Sequence, residues 1–221
     1  MNKKIIILIG PPGSGKSTQA KFLSRDLLIP HISTGNLLRN IVDSKSEIDV
    51  PYKDLIKECL EKGKLIPDDI IANIVNFEYS KENCKKGFIL DGYPRNLKQI
   101  ENCFNVFDKK QIYVLFFEVS FLYLKTRVLC RYYCTNCGFI YNSNFNNPLV
   151  KGICDVCRGK NFSSRKDDTE TILKKRFDEY VKVSKELINF CMKKVKYLTL
   201  NVETNADELY KELYNFINKK F

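Results

Sequence analysis

Residues 10–18 of this 221-residue chain read Gly-Pro-Pro-Gly-Ser-Gly-Lys-Ser-Thr. The stretch follows an apolar run, residues 5–9, and precedes helix-forming sequence, residues 20–28. A glycine-rich turn between a strand and a helix, closed by Lys and a hydroxyl residue, is typical of phosphate-binding loops. A turn that binds nothing would leave the lysine and both hydroxyl residues unexplained. The stretch therefore predicts a nucleoside triphosphate site at the first strand–helix turn.

The residue types in this loop each suit the binding of phosphate. Gly13 and Gly15 allow backbone N–H groups to turn inward around phosphate oxygens, because glycine has no Cβ. The helix that follows adds the positive end of its dipole. Lys16 can then reach the outer phosphates, and a hydroxyl of Ser17 or Thr18 can reach a phosphate or Mg²⁺.

Short apolar runs alternate with helical patterns along the chain, which is typical of a parallel sheet covered by helices. The predicted strands cover residues 5–9, 30–33, 88–91, 112–119 and 197–202. The predicted helices cover residues 16–28, 35–42, 52–61, 68–79, 97–104, 121–129, 169–193 and 206–217. We therefore predict the α/β class: a three-layer P-loop fold with a five-stranded parallel sheet flanked by helices.

Two segments interrupt this alternation of strands and helices. Residues 34–66 are helical, and residues 130–168 are rich in Cys, Asn, Gly and Arg. In a P-loop fold, insertions at the carboxyl ends of strands lie over the phosphate site, where lids belong. We predict a P-loop core made of residues 1–33, 67–129 and 169–221, with both insertions acting as lids.

The second insertion contains two pairs of cysteines with CxxC spacing. Such paired knuckles predict a tetrahedral Cys₄ zinc site with no position left open for a catalytic water, so the metal would be structural. Gly138 and Gly159 follow the two knuckles and suit their tight turns. A rubredoxin-like iron site and two disulfides are the alternatives. The predicted ligands are Cys134, Cys137, Cys154 and Cys157.

The formal net charge of +11 has two interpretations. Clustered basic residues can bind nucleic acid, or they can combine a polyphosphate site with a lysine-rich solvated surface. The sequence has no basic stripe interleaved with stacking aromatics, and many lysines occur as pairs, so we predict that no nucleic acid is bound. These pairs are Lys3-Lys4, Lys85-Lys86, Lys109-Lys110, Lys193-Lys194 and Lys219-Lys220.

Cysteine usage and hydropathy favour a cytoplasmic protein. The nine cysteines are an odd number, so they cannot form a complete disulfide framework, and a reducing compartment is expected. No apolar run approaches the roughly 20 residues of a membrane span. The first predicted strand begins within a few residues of the N-terminus, so we expect no signal peptide and no membrane contact.

Arginines recur around the two insertions rather than in the lysine-rich helices. A guanidinium fork binds phosphate bidentately and keeps its charge, which suits a site with four or five phosphate groups. Any one of them could instead form a surface salt bridge, but the set flanks both predicted lids. The set is Arg39, Arg95, Arg127, Arg131, Arg165 and Arg176.

Acidic residues and the single histidine complete the inventory. Asp91 ends a buried apolar run, so we expect it beside the phosphate loop, where it could orient Mg²⁺ waters. Asp167 and Asp168 follow Arg165 and are expected to fix its direction. His31 is the only histidine, which argues against a histidine base. Phosphoryl transfer to an ionised phosphate acceptor needs no such base.

Taken together, five motifs resemble those of the adenylate kinase family, in order and over essentially the whole chain. The match through Asp-Gly-Tyr-Pro-Arg is highly specific, and the long second insertion with four cysteines is similar to the long-lid, zinc-binding form. The resemblance implies Mg²⁺-dependent, reversible conversion of ATP and AMP into two ADP. It also implies an AMP-binding lid (34–66) and an ATP lid (130–168). The motifs occupy residues 10–18, 32–39, 63–68, 88–95 and 165–168.

The resemblance also implies individual roles. Lys16 would bridge the transferring phosphoryl group, and the arginines of the ATP lid would clamp phosphates. The implied catalytic residues are Lys16, Asp91, Arg95, Arg127, Arg131, Arg165 and Arg176. The implied ATP-binding residues are Gly13, Ser14, Gly15, Lys16, Ser17, Thr18, Arg127, Arg131, Ile140 and Tyr141. The implied AMP-binding residues are Thr34, Arg39, Lys64, Leu65, Ile66, Gly92, Arg95, Gln99, Arg165 and Arg176.

The chain departs from the family pattern at three places. Asn36 stands where the family usually has Asp, and Ser17 stands where it usually has Gly. The usual glycine beside the ATP adenine is missing near residues 202–204. Asn36 changes the charge of one hydrogen-bond partner in the AMP lid, and Ser17 either adds a ligand or is merely tolerated. The missing glycine leaves the donor base open.

Two alternatives to an ATP:AMP enzyme follow. One is a GTP:AMP phosphotransferase or another nucleoside monophosphate kinase, although Thr34 favours AMP because related pyrimidine kinases usually have Ala there. The other is a zinc-ribbon ATPase that binds nucleic acid, which would need an Asp-Glu strand end and a basic knuckle. Residues 134–157 instead carry only Lys151 against Asp155. We predict small-molecule nucleotides as partners and a monomer.

Overall fold

The computed structural model describes residues 3–43 and 51–219. Parts of the predicted segments therefore lie outside the described residues: 44–50 in the first insertion, and 1–2 and 220–221 at the ends of the core. Among the described helices, none is both long enough and apolar enough to cross a membrane.

A five-stranded parallel sheet forms the centre of the fold. Its strand order is β2-β3-β1-β4-β8, so the strand before the phosphate loop lies in the middle. This confirms the predicted α/β class and sheet. The described strands are β1 (Lys4–Ile9), β2 (His31–Ser33), β3 (Gly87–Asp91), β4 (Ile112–Glu118), β5 (Arg131–Cys134), β6 (Ile140–Asn142), β7 (Phe162–Ser163) and β8 (Lys196–Asn201).

Each predicted helix is present within one or two residues at nearly every end. Side-chain caps set several of the starts: Thr169 accepts a hydrogen bond from the Ile172 N–H, so α7 begins one residue later than predicted. The described α-helices are α1 (Lys16–Leu27), α2 (Thr34–Val42), α3 (Lys53–Glu61), α4 (Asp68–Tyr79), α5 (Leu97–Val106), α6 (Phe121–Leu129), α7 (Glu170–Met192) and α8 (Ala206–Asn218).

Apolar side chains cover both faces of the sheet. Because side chains alternate along a strand, Ile5 and Ile7 of β1 pack in one cluster with residues of α2 to α5 and α7. Ile6 and Leu8 pack in a second cluster with residues of α1 and α8. The sheet is therefore the middle layer of three, and helices pack against both of its faces.

The second insertion forms a small sheet of its own that the sequence did not predict. Strands β6, β5 and β7 pair antiparallel in that order. Its buried cluster consists of only Cys134, Tyr141 and Cys154, with three further aromatic rings packed against it. A unit with so little apolar core needs another source of stability.

Three of the lysine pairs lie at the edge of the sheet opposite the phosphate loop. Lys85-Lys86 directly precede β3, Lys109-Lys110 precede β4, and Lys193-Lys194 precede β8 after the end of α7. Cations near helix C-termini are stabilised by the helix dipole. This separation from the arginines agrees with the interpretation of the excess charge as a lysine-rich solvated surface.

A first prediction concerns the end of α1. Leu28, which the sequence pattern placed inside the helix, lies just beyond it with φ 54° and is 84% exposed. Leucine is strained in the left-handed region, whereas glycine is not. We expect Leu28→Gly to stabilise the protein by about 1 kcal/mol and to raise the melting temperature by about 2–4 °C. The control is Leu28→Ala, which removes the side chain but keeps the strain; an equal gain in both variants would contradict this explanation.

Candidate functional site

The phosphate loop has the conformation that its glycines predict. Gly13 and Gly15 have φ values of +83° and +89°. A Cβ on Gly13 would lie 2.2 Å from the Cγ2 of Val128, so glycine is required there for space as well as for conformation. Gly15 caps α1, and the first helical N–H groups therefore open toward the loop.

Lys16 is buried and folds back over its own loop. Its Nζ donates hydrogen bonds to the carbonyl oxygens of Gly10 (2.8 Å) and Pro11 (2.7 Å) and to Ser14 Oγ (3.2 Å). A phosphate in the loop would offer Nζ stronger acceptors than these neutral oxygens. The ammonium group is therefore positioned at the loop, where an anion would replace these neutral acceptors.

The charge of Lys16 is destabilised by its surroundings. Burial lowers the pKa of Lys16 to about 8, the charge of Asp91 partly offsets this, and the charges of Arg95 and Arg131 lower the pKa further. A polyphosphate would reverse this imbalance. Such perturbed groups in a cleft are typical of functional sites.

Asp91 lies where the sequence pattern predicted it, beside the phosphate loop. It ends β3 and is in register with Leu8 of β1. Its Oδ2 accepts a 2.5 Å hydrogen bond from Ser17 Oγ and lies 3.1 Å from Nε2 of His31. Burial alone would raise the pKa of Asp91, but the hydrogen bonds from His31 and Ser17 and the charge of Lys16 lower it below its usual value.

The turn after β3 gathers four of the implied AMP-binding residues. The Thr34 hydroxyl donates to the carbonyl oxygen of Asp91 (3.1 Å), and Arg95 Nε donates to that of Gly92 (2.7 Å). Gln99 Oε1 accepts from the Arg95 N–H (2.7 Å). A Cβ on Gly92 would lie 2.5 Å from Thr34 Oγ1, so the turn and α2 approach as closely as they do only because residue 92 is glycine.

The Gln99 side chain belongs to a half-buried hydrogen-bond network that the sequence did not predict. Its Nε2 donates to Oδ1 of Asp68 (2.6 Å), which also accepts from Asn96 Nδ2 (3.0 Å). The Asn96 side chain in turn caps α5 by accepting from the Gln99 N–H. The network fixes Gln99 between the start of α4 and the start of α5.

The implied AMP-binding residues after α3 differ in their exposure. Lys64 and Leu65 are exposed, whereas Ile66 is buried in the core. The Lys64 N–H donates to the Cys59 carbonyl (2.8 Å), and Gly63 takes φ +64°. Arg176 Nη2 approaches the Leu60 carbonyl oxygen at 3.4 Å, which links the first insertion to α7.

The acidic pair does not fix the direction of Arg165, contrary to the expectation from sequence. Asp168 makes a bidentate pair with Arg131, through a 2.7 Å bond to Nε and a second bond to Nη2. Asp167 accepts a 2.7 Å bond from Nη1 of Arg176. The residue order was a poor guide because the two carboxylates face arginines of neighbouring elements, β5 and α7.

Arg165 and Arg39 face this cluster from opposite insertions. Burial lowers the pKa of Arg165 to about 10, with further lowering by the charges of Arg131 and Arg39 and partial compensation by Asp168 and Asp167. Burial also lowers the pKa of Arg39. The cationic groups therefore converge with too few carboxylates to balance them, which favours an anionic ligand.

Arg127 reaches the phosphate loop from α6. Its Nη2 lies 3.6 Å from where a Cβ of Gly15 would be, and its guanidinium lies over the Tyr123 ring at 5.6 Å. The structure thus brings together Lys16, Asp91, Arg95, Arg127 and Arg131 around the loop, and Arg39, Arg165 and Arg176 around the acidic pair.

The four predicted metal ligands form one cluster. Their Sγ atoms lie within 4.8 Å of one another, with 3.5 Å between Cys134 and Cys157 and 3.6 Å between Cys137 and Cys154. Bonds of about 2.3 Å to a tetrahedral ion require sulfur separations of about 3.8 Å. All four cysteines are free, and these separations far exceed the roughly 2.05 Å of a disulfide, so the two-disulfide alternative does not hold.

The two knuckles are built alike. The carbonyl oxygen of Cys134 accepts from the Gly138 N–H (2.8 Å), and the carbonyl oxygen of Cys154 accepts from the Arg158 N–H (2.9 Å). In each knuckle, the residue that donates this hydrogen bond has a left-handed backbone conformation: Gly138 with φ 69° and Arg158 with φ 60°. Gly159, which we expected to serve the turn, does not take a left-handed φ, and a Cβ there would lie 2.6 Å from Nδ2 of the exposed Asn136 side chain.

Tyr141 supports the cysteine cluster rather than an open pocket. Its ring is buried, and its hydroxyl donates to Cys154 Sγ (3.4 Å) and accepts from the Asp155 N–H (2.8 Å). Groups that hydrogen-bond metal ligands orient them. The side chain of Tyr141 is thus not available to a base, so any contact to ATP by the predicted pair with Ile140 falls to backbone groups or to Ile140.

The departures from the family pattern have clear local consequences. Asn36 Oδ1 accepts a 2.8 Å bond from Arg39 Nη2, so the guanidinium has a neutral partner in place of a carboxylate. Near residues 202–204, the Glu203 carboxylate accepts from the Ser120 N–H (2.7 Å) and joins α6 to the end of β8. Ser17 forms a hydrogen bond with Asp91. This contact could have been predicted, because the loop before Ser17 follows β1, and Asp91 ends the neighbouring strand β3.

Comparisons with known proteins agree with this geometry. A family model described as Adenylate kinase matches residues 8–196. The adenylate kinase of Thermosipho africanus (strain TCF52B) is 40% identical over 217 residues, which is 97% of this chain and 99% of the relative. That of Clostridium novyi (strain NT) is 36% identical over 215 residues, 96% of this chain and 97% of the relative. That of Rickettsia peacockii (strain Rustic) is 39% identical over 206 residues, 93% and 94% respectively. The fold, the phosphate loop and this near-full-length similarity together show that the chain belongs to the adenylate kinase family of nucleoside monophosphate kinases.

Proposed function

We propose that the protein catalyses the reversible, Mg²⁺-dependent transfer of a phosphoryl group from ATP to AMP, giving two ADP. The observation that carries the proposal is the convergence of one buried lysine and several arginines on the mouth of the phosphate loop. A site for one triphosphate would not need cations from both insertions. Two nucleotides that meet end to end, with five phosphates between them, would neutralise the whole cluster.

On the donor side, we assign the triphosphate to the phosphate loop and the second insertion. Backbone N–H groups of Gly13, Ser14 and Gly15 and the start of α1 would hold the β- and γ-phosphates, together with Lys16 and Thr18. Arg127 lies beside Gly15 and is positioned for the same phosphates. Arg131 would exchange its partner Asp168 for a phosphate as the ATP lid, residues 130–168, closes.

On the acceptor side, we assign AMP to the groove between α2 and the turn after β3. The α-phosphate would be held by Arg39, whose guanidinium lies beside Gly35, and by Arg95, whose guanidinium lies beside Gly92. Gln99 would face the adenine from the start of α5. Backbone groups of residues 64–66 would line the far side of the AMP lid, residues 34–66, and Arg165 and Arg176 would bridge the two nucleotides.

The chemistry requires charge stabilisation rather than a base. The attacking oxygen of AMP is an ionised phosphate oxygen, so no proton has to be removed. The single histidine, His31, lies against Asp91, and Asp91 is held beside the loop, where Mg²⁺ would be bound with the nucleotide. Positioned cations are expected to stabilise the charge that spreads over the moving phosphoryl group.

We assign the Cys₄ cluster to a structural zinc ion in the ATP lid. Four sulfur ligands fill a tetrahedral shell, which leaves no position for a substrate or water. The metal would supply folding energy to a unit with little apolar core and would take no part in phosphoryl transfer. We expect the protein to act as a monomer in the cytoplasm.

A bisubstrate mimic tests whether the two nucleotide sites adjoin. Two adenosines joined through five phosphates should engage both lids at once, because ligand phosphates favour the closed state in which the arginines converge. We expect such a mimic to bind at least about 100-fold more tightly than ATP or AMP and to lower the radius of gyration in solution scattering. Binding no tighter than AMP, with an unchanged radius, would show that the sites are not adjacent.

A further inference from the structure

A cavity of about 170 Å³ lies between the second half of α4 and the second half of α5. Its lining includes Tyr93, from the turn after β3, and none of the residues assigned above to ATP, AMP or the metal. Cavities of about 150 Å³ accept a molecule of the size of benzene. The space therefore suits one ring with a small substituent.

Aromatic rings form one wall of the cavity. The rings of Tyr79 and Phe107 lie 5.0 Å apart at an angle of 77°, and both pack against Phe88 of β3, at 5.8 Å and 5.4 Å. Phe88 is fully buried, so the wall is anchored to the central sheet. Val75 and Val106 extend the apolar surface. Such a wall favours a planar ligand, because aromatic rings pair in stacked or edge-to-face arrangements.

Three side-chain amides and one hydroxyl provide the polar part of the lining. Asn76, Asn102 and Asn105 are exposed at the mouth of the cavity, and Tyr79 adds its hydroxyl. None of these four side chains makes a hydrogen bond within the part of the chain that the structure describes. An amide offers two donor hydrogens and an acceptor oxygen, and a phenol both donates and accepts. The mouth therefore suits a ligand that has donors as well as acceptors.

The lining carries no charge, in a chain of which 29% of the residues are charged. No Lys, Arg, Asp or Glu is among the described residues that line the cavity. Burial raises the pKa of the Cys103 thiol to about 12 and also raises the pKa of Tyr93, so both groups are neutral at physiological pH. A charged ligand would lose hydration here without gaining a counter-charge. The lining therefore selects an uncharged ligand.

Tyr93 connects the cavity to the turn after β3. It follows Gly92 directly, and its buried side chain lies beside the Cys103 thiol of α5. Two residues further on, the Arg95 N–H donates to Gln99 in the first turn of α5. A molecule packed against Tyr93 therefore contacts the segment that presents Gly92 and Arg95.

We propose that this cavity binds an uncharged, planar, single-ring heteroaromatic molecule that carries an amide group, and that its occupation strengthens the binding of AMP. The ring would lie against Tyr79 and Phe107, and its polar groups would bond to the unengaged amides and hydroxyl at the mouth. By packing on Tyr93, it would hold the turn after β3 in its present arrangement. Only the effect on AMP rests on the proposed function.

Nicotinamide, a pyridine ring with one carboxamide, is the probe for the cavity. Its dissociation constant for the intact protein is measured by ¹H–¹⁵N NMR titration, and we expect a value in the millimolar range, as suits a ligand of this size. Val106→Trp places an indole at the cavity and should weaken binding at least about tenfold. The matched control is Val181→Trp on α7, outside the lining, which should bind like the wild type. Both valines are exposed, so both variants should fold.

Two further comparisons test the chemical class of the ligand. Tyr79→Phe keeps the aromatic wall and removes only the hydroxyl, so nicotinamide should bind about threefold to tenfold more weakly. Benzoate has a similar shape and a negative charge, and it should bind the wild type at least about tenfold more weakly than nicotinamide. Benzoate binding as tight as that of nicotinamide would overturn the ligand class. No binding of nicotinamide, or equal affinities of the wild type and Val106→Trp, would overturn the site.

The coupling is measured by calorimetric titration of AMP with and without saturating nicotinamide. We expect the dissociation constant of AMP to fall about fivefold, and that of nicotinamide to fall by the same factor when AMP is bound. An unchanged AMP affinity in a protein that binds nicotinamide would overturn the coupling through Tyr93. Absence of AMP binding under both conditions would overturn the proposed function and leave the cavity site standing.

Discussion

Replacing Lys16 by alanine is expected to lower the turnover number by at least about 100-fold while leaving the fold intact. The Nζ group contacts only loop oxygens, at 2.7–3.2 Å, and fills no part of the apolar core. In the proposed complex, its loss removes a positive charge beside the donor phosphates. Steady-state kinetics of ATP and AMP conversion, with circular dichroism as the check on folding, measure the effect.

The matched control is Lys21→Ala, which removes an exposed lysine from the same helix. The overall charge changes equally in the two variants, so a comparable loss in both would point to a general electrostatic effect. Near-normal turnover of Lys16→Ala would remove this lysine from the mechanism.

Removal of the metal is expected to have the largest effect on stability. The apolar cluster of the Cys₄ unit has only three buried side chains, so we expect the free energy of metal binding to be needed to fold it. We expect about one equivalent of zinc per chain, and a clear fall in melting temperature on chelation or in Cys154→Ser. Substrate affinity should change less than stability, because the proposed roles give the metal no contact with a nucleotide.

Cys130→Ser is the matched control for this experiment. Cys130 is half-buried in the same segment, four residues before the first ligand, but lies outside the cluster of four sulfurs. Its replacement should leave the zinc content and the effect of chelators unchanged. Iron in place of zinc would favour the rubredoxin-like alternative, and the absence of any metal with no response to chelators would contradict the assignment.

Local sequence patterns were sufficient to predict most of the fold. Strand β1 begins at Lys4 and continues with five consecutive buried residues up to the glycine loop, a run that is typical of a central strand. The helices could be predicted because their apolar spacing and caps lie within one stretch of chain, as in α8, where Asn205 accepts from the Asp207 N–H. The cluster of four cysteines could be predicted because two CxxC pairs have the spacing that a tetrahedral metal site requires.

The remaining features depend on contacts between distant parts of the chain. Strands β5, β6 and β7 have two to four residues each and no alternating pattern, because the cysteine cluster rather than an apolar face holds them. The partners of Asp167 and Asp168 depend on the relative placement of β5 and α7. Likewise, Tyr141 carries no sequence signal that separates a base contact from a hydrogen bond to Cys154.

The most direct test is the reaction itself. Purified protein is incubated with Mg²⁺, ATP and AMP, and the nucleotides are quantified by chromatography, with CMP and UMP as alternative acceptors and GTP as an alternative donor. We predict the formation of two ADP for each AMP consumed, no ADP without AMP, and reversal from ADP alone. Consumption of ATP without AMP, or transfer only to CMP or UMP, would contradict the account.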